Sequence, residues 1–396
     1  MNKTQQDPAQ SSGDGADNGR SLDAFANRAL RLAQEAAKAG SYGVGALLMD
    51  LDGNILYEKT NRVVRNSRIY DPTAHSERQI VDWYLANKEK ENLPEPAECI
   101  LITTLDPCLM CTGALAQAGF GTVIVIALDP HAGINSRGNY ECTALAGTAC
   151  RNYVTKHFAY PLITGARHRE AFGADLSRLK LFTDDTITTE TYLACGDAFT
   201  LNLSELHKEL FARDNREDNV LNPAELDLDH PIRRYLKETF GPDCFGCTWN
   251  PGESAEVITD YMNKNHPGFD GAACFDLFGN LLCIAEDDPE LSSRSAIMKL
   301  IRKYAAARAA EPIGNYDIRD YLATSQFAYF MYMTCPDLSA VTIMEIGALG
   351  SAFGNHSPHP ILYMNGAQKE PAVALLIQHL PPLYNEQLDL RFERIV

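Results

Sequence analysis

The chain has 396 residues, 45% hydrophobic and 22% charged, with 20 Pro and 27 Gly; this excludes fibrous and largely disordered proteins and is long enough for two domains with cores of their own. Its formal net charge of -17 disfavours nucleic acid as a substrate, because proteins that track phosphodiester backbones use basic surfaces to displace counterions. Eleven cysteines, an odd number in a long chain without a secretion signal, speak against a disulfide framework and leave metal ligation and buried thiols to account for them.

Met1 to Arg20, rich in Gln, Ser, Gly and Asp, reads as a disordered tail. Ser21 is a helix N-cap signal, and Phe25, Ala29, Leu32 and Ala36 follow at helical spacing before Gly40 ends the run. Tyr42 to Asp50 is an expected strand, Asp52-Gly53 a hairpin turn and Ile55 to Thr60 the returning strand. A polar loop, Asn61 to Tyr70, carries Arg62, Arg65 and Arg68. A helix is expected to begin at Asp71 or Thr73, with Pro72 in its first turn, and to run toward Lys90. Glu98 to Leu105 is a strand, Pro107 opens a helix that ends near Gly119, and Thr122 to Asp129 is a further strand. This order implies a three-layer α/β/α domain with a mixed sheet. A helix is expected at Ser204 to Arg213, and no stretch has the length of an apolar membrane span. The domain plan is a tail (1–20), a catalytic domain (21–213), a linker (214–230) and a second domain (231–396).

That second domain echoes the first. Gly271-Ala272-Ala273-Cys274-Phe275-Asp276-Leu277-Phe278-Gly279-Asn280 repeats the register of Gly45-Ala46-Leu47-Leu48-Met49-Asp50-Leu51-Asp52-Gly53-Asn54. The segment Arg294 to Leu300 and the run Phe327 to Leu338 then follow in the positions of the first helix and of the next strand and turn. The expectation is a degenerate second copy of the same fold. In it Ser292 and Arg294 replace His75 and Glu77, and Asp337 and Ala340 replace Cys108 and Cys111, so the copy cannot hold the same metal.

The chemistry concentrates in two segments, Asp71-Pro72-Thr73-Ala74-His75-Ser76-Glu77 and Pro107-Cys108-Leu109-Met110-Cys111. Catalytic zinc keeps three protein ligands and one open position, and His75, Cys108 and Cys111 supply an accepted set. Cys108 and Cys111 are three apart at a helix start, which puts them on one face and favours their thiolates. Glu77 is better left off the metal, where its carboxylate can carry a proton from an activated water to a ring nitrogen and then to a departing amine. The pairing of H-x-E with P-C-x-x-C is the signature of zinc-dependent deaminases, which convert an exocyclic amino group to a carbonyl and release ammonia. A closed structural zinc site would need a fourth ligand, and Cys99 is poorly placed to supply it.

Over Leu22 to Asp129 these motifs resemble the cytidine and deoxycytidylate deaminase superfamily, in the branch of guanine, cytosine and tRNA adenosine deaminases. The resemblance implies one Zn2+ per chain and a small-molecule base, nucleoside or nucleotide as substrate. It makes Asn61, after the second strand, a substrate-binding candidate, and puts the backbone N–H of Cys108 in the pocket. It also implies pockets completed across an interface, either in a homodimer or in an intramolecular pseudo-dimer with the second copy. Asp106 stands where many members carry glutamate, and Ser76 where alanine is usual. Two alternatives are a tRNA adenosine deaminase, which the charge disfavours, and a non-catalytic zinc-bearing regulator, which would have no use for Glu77. A cytoplasmic protein without membrane contact is the expectation.

Other features are read more plainly. Cys244 and Cys247 have metal spacing but lack a second pair, which makes them ordinary thiols. His356 and His359 fall in a loop, and Tyr329 to Met333 is a strand of the second core. Arg62, Arg65 and Arg68 either clamp a substrate phosphate or form a solvated charged loop.

Overall fold

The computed structural model describes residues 21–66, 68–136, 142–164, 172–214, 220–269, 271–287, 295–325, 328–334, 339–352, 360–364, 375–376, 378–387 and 391–393. In chain order the first half holds α1 (Leu22–Lys38), β1 (Gly45–Asp50), β2 (Ile55–Thr60), β3 (Val64–Arg65), β4 (Arg68–Ile69), α2 (Ser76–Glu91), β5 (Cys99–Leu105), α3 (Leu109–Ala118) and β6 (Thr122–Ala127). It continues through α4 (Cys150–His157), β7 (Phe158–Tyr160), β8 (Ile163–Thr164), β9 (Phe172–Gly173), β10 (Ile187–Thr188) and α5 (Thr189–Asp214). The second half holds α6 (Pro231–Phe240), α7 (Pro251–Asn265), β11 (Gly271–Phe275), β12 (Leu281–Glu286), α8 (Ala296–Arg308), β13 (Tyr329–Thr334), α9 (Ala340–Ala352), β14 (Pro360–Met364), α10 (Pro382–Gln387) and β15 (Arg391–Glu393).

The main sheet of the first half runs β2-β1-β5-β6-β7-β9, with β1 antiparallel to β2 and β5, and β5, β6 and β7 parallel. Alternation along its strands sorts the core into two layers. Leu47, Met49, Ile100, Ile102, Ile124 and Ile126 face α1 and α5, while Ala46, Leu48, Leu101, Val123 and Val125 face α2 and α3. This is the three-layer α/β/α arrangement expected from the sequence.

The sheet of the second half runs β12-β11-β13-β14-β15, with the same alternation of antiparallel and parallel pairs over five strands. The likeness extends to single residues. The β1–β2 register shifts between Leu48 and Met49, and the β11–β12 register shifts between Cys274 and Phe275. In the first turn Asp50 accepts hydrogen bonds from the Asp52 and Asn54 N–H groups and from Asn54 Nδ2. In the second, Asp276 accepts from the Phe278 and Asn280 N–H groups and from Asn280 Nδ2. Each turn closes on a glycine with positive φ, Gly53 at 85° and Gly279 at 78°, which that left-handed position favours.

One apolar core runs from α2 and α3 into α8 and α9, so these helices form a layer between the two sheets. The α3 and α9 backbones touch. A Cβ added at Gly113 would lie 2.5 Å from Ala340 O, and one at Gly347 would lie 1.9 Å from Met110 N. No helix among the described residues is long and apolar enough to cross a membrane.

Several expectations shift. The α2 helix starts at Ser76, because Asp71-Pro72-Thr73 forms a turn in which Asp71 Oδ1 accepts from Thr73 N and Oγ1, and His75 becomes the N-cap. Likewise Cys108 is the N-cap of α3, and the helix proper begins one residue later. The expected helix at Ser204 is the end of the much longer α5. Residues 1–20, Ser292, Arg294, Asp337, His356 and His359 lie outside the described residues. The α8 N-cap is Ser295, so by position from the cap Ser295 and Ile297 correspond to His75 and Glu77.

Candidate metal centre

Two helix starts meet over the carboxyl ends of the central strands. His75 has extended backbone at the α2 N-cap (φ -65°, ψ 149°), and Cys108 has extended backbone at the α3 N-cap (φ -70°, ψ 172°). Neither side chain makes the usual N-cap hydrogen bond, which leaves both free to turn toward the gap between the helices. There His75 Nδ1 lies 3.6 Å from Cys108 Sγ and 3.6 Å from Cys111 Sγ. The three ligand atoms all fall within 4.8 Å of one another, and they are the only such group among the described residues. Bonds of about 2.3 Å to sulfur and about 2.1 Å to nitrogen in a tetrahedron separate N and S by about 3.6 Å. The residues therefore fit three of the four positions around a zinc ion.

Electrostatics agree with that fit. Burial works to lower the pKa of His75, but Cys108, Glu77 and Asp71 together outweigh it and the net shift is upward. Cys108 is pulled well below an ordinary thiol by a hydrogen bond from Cys111 and by the charge of His75, against the cost of burial. Cys111 is pushed up by burial and by the Cys108 thiolate. A dication between the two sulfurs removes that repulsion.

Glu77 sits in the first turn of α2 and is buried. Its Oε1 accepts from Thr103 Oγ1 at 2.9 Å, and its Oε2 accepts from Ser76 Oγ at 3.0 Å and faces Cys111 Sγ at 3.7 Å. Burial raises its pKa, while His75 pulls the other way. The helix start itself is held by Gln79, whose Nε2 donates to the carbonyls of Thr60 and Ala74. Asn61 follows directly on Thr60 and is buried. Its Oδ1 accepts from Ser41 Oγ at 2.8 Å and from the Val63 N–H at 3.1 Å.

Behind Cys108, the loop from Asp129 to Asn135 is fastened to the β5 end. Asp106 accepts from the Asn135 N–H and from the Tyr160 hydroxyl, and burial lifts its pKa to about 7. A lone β-bridge joins Cys108 to Gly133. The second half reaches this place as well: Tyr384 of α10 is buried, with a backbone hydrogen bond to Leu109, and the Leu383 N–H donates to His131 O.

Of the residues singled out in the sequence, His75, Glu77, Cys108 and Cys111 come together, and Asn61 stands at the neighbouring strand end. Arg65 does not join them; it is exposed, with its guanidinium 4.3 Å from the Tyr70 ring centre. Cys244 and Cys247 form no ligand cluster among the described residues. Thr103 and Tyr384 escaped the sequence reading. Thr103 left one signal, a polar pair with Thr104 inside the apolar strand β5.

The family model of the cytidine and deoxycytidylate deaminase zinc-binding region matches residues 20–127. Over 116 residues the chain is 37% identical to a tRNA-specific adenosine deaminase of Aquifex aeolicus, covering 28% of this chain and 70% of that one. The chain belongs to the cytidine and deoxycytidylate deaminase family. The chain is also 35% identical over 94 residues to a guanine deaminase of Bacillus subtilis, covering 24% of this chain and 56% of that one. Against a tRNA(Ile)-lysidine synthase of Deinococcus radiodurans the identity is 34% over 112 residues, covering 28% of this chain and only 18% of the relative. Zinc is the cofactor that goes with the family region and with the His/Cys/Cys cluster of this chain.

Proposed function

We propose that the chain is a zinc-dependent hydrolytic deaminase that acts on a small amino-substituted base or nucleoside of the guanine or cytosine type. The observation that carries this reading is Glu77, a buried carboxylate beside the ligand cluster that is not one of the three ligands. His75, Cys108 and Cys111 hold the metal. Bound zinc supplies Lewis acidity and lowers the pKa of a water at its open position. Glu77 takes a proton from the attacking water and delivers it to the ring nitrogen; it then takes the proton of the newly formed hydroxyl and passes it to the departing amine as the carbonyl forms. A C–O bond forms, the C–N bond breaks, and the products are a carbonyl and ammonia. Thr103 and Ser76 hold the carboxylate in place for both transfers. With its Oδ1 engaged by Ser41 and Val63, Asn61 has its amide N–H groups left to grip an acceptor on the base.

The net charge of -17 supports a free base or nucleoside over a nucleic acid. The identity to a tRNA-specific adenosine deaminase keeps tRNA adenosine as the second reading. The segment from 231 onward is read as a degenerate copy serving as a built-in partner, joined to the catalytic domain (21–213) by a linker at 214–230. Its support is the shared strand order, register shift and turn chemistry.

An ammonia-release screen with zinc-loaded protein over guanine, cytosine, adenine, their nucleosides and monophosphates, and tRNA tests the reading. Turnover of a free base or nucleoside is expected. Turnover of tRNA alone would replace the first reading with the second, and no release from any of them would sink both.

A further inference from the structure

We propose that Arg302, on α8 in the half of the chain without a described ligand cluster, is a positioning residue for the metal centre of the other half. Its Nε donates to Thr73 Oγ1 at 2.6 Å, and a second guanidinium nitrogen donates to Asp82 Oδ2 at 2.8 Å. Thr73 is fully buried, two residues before His75, and passes its own hydroxyl proton bond to Asp71 Oδ1 at 2.7 Å. Asp71 Oδ2 lies 3.8 Å from the Arg302 Nε. Asp82, on the next turns of α2, also accepts from the buried Arg78 at 2.8 Å. One guanidinium therefore holds the turn that enters α2 and the body of α2 at the same time.

The consequence for the metal follows from how His75 is held. As an N-cap without a side-chain cap bond, His75 takes its position from the entry turn, whereas Cys111 rides on α3 and Cys108, the α3 N-cap, is tied by a β-bridge to Gly133. Zinc tolerates departures of only about 0.2 Å in its ligand distances. A rotation of the Asp71–Ala74 turn moves the imidazole against two fixed thiolates. Arginine suits the task because its planar fork spans two acceptors, which an ammonium reaches one at a time. A plain interface ion pair would need Asp82 only; the bond to a buried hydroxyl next to the ligand segment is what points to the metal.

The inference rests on the proposed ligand set, and its test does not depend on turnover. Zinc release from the loaded full-length chain into the chelator 4-(2-pyridylazo)resorcinol is measured beside urea unfolding, without substrate. Arg302→Met and Thr73→Val are expected to release zinc about 10-fold faster, the low end for outer-shell partners of a metal site. Arg302→Lys should recover part of the loss. Wild-type release from both Arg302→Met and Thr73→Val, with only a lower urea midpoint for Arg302→Met, would reduce Arg302 to an interface contact and overturn the proposal. If Arg302→Met does not fold, Thr73→Val decides alone, since it leaves the Arg302–Asp82 pair in place. Zinc binding without ammonia release would remove the deaminase reading and leave this one standing.

Discussion

The two halves build the same hairpin, with the same bulge and the same aspartate-centred turn, yet they begin their helices differently. In the first half both helices around the candidate metal centre start at proposed ligands, His75 and Cys108, whose side chains make no cap hydrogen bond. In the second half the corresponding helices start at serines. Ser295 Oγ accepts from the Met298 N–H, and Ser339 Oγ accepts from the Thr342 N–H. Glu345 of α9, fully buried, further accepts from the Ile297 N–H at the start of α8. A serine cap is worth about 1 kcal/mol over a residue that cannot cap. The first half gives up that stabilisation at two helix ends in order to aim ligands at one point; the second, without ligands there, keeps it.

That contrast can be broken most sharply at Glu77. Glu77→Gln is expected to keep its zinc and lose about 10²- to 10⁴-fold in ammonia release, the usual worth of a general acid–base group. Retained turnover would remove Glu77 from the mechanism. Next in size is the metal itself. Metal analysis should find one zinc per chain and close to none after Cys111→Ala, whereas Cys244→Ala should leave the content unchanged; a second zinc would end the contrast between the halves. Gly347→Ala forces a methyl group into the Met110 backbone, so overpacking of about 1–3 kcal/mol should appear as a lower urea midpoint. An unchanged midpoint would mean that α3 and α9 are free to separate. The smallest effect tests the caps. Ser295→Ala should cost about 1 kcal/mol, while Cys108→Ser in zinc-free protein should cost nothing or stabilise, since serine can cap α3. Equal losses in both would show that the capping difference has no energetic content.

Legibility in the sequence followed range. The hairpins were readable because Asp, Gly and Asn at fixed offsets close a turn within five residues, and both copies obey that rule. The candidate ligand cluster was readable because zinc restricts the residue types it accepts. Helix starts were misjudged by a few residues, since Pro72 and Pro107 look like first-turn residues and only the chain's path shows that they precede the caps. The partners of Thr103 and Arg302 were invisible, because one lies 26 residues and the other more than 200 residues away. The α3–α9 crossing was equally hidden: Gly113 and Gly347 look like ordinary glycines until two backbones are brought together.

By itself, then, the sequence determined the chemistry on offer: one histidine, two cysteines and one spare carboxylate at spacings that suit zinc and a proton shuttle, on an α/β frame whose hairpin pattern recurs in the second half. Tertiary structure decided the rest. It brought the two helix starts within 3.6 Å, buried Glu77 against Thr103, and set the second half against the first through α9 and Arg302. The physical reason is that ligand type and turn chemistry are properties of neighbouring residues, whereas burial and the partner of a long side chain exist only after distant segments have packed.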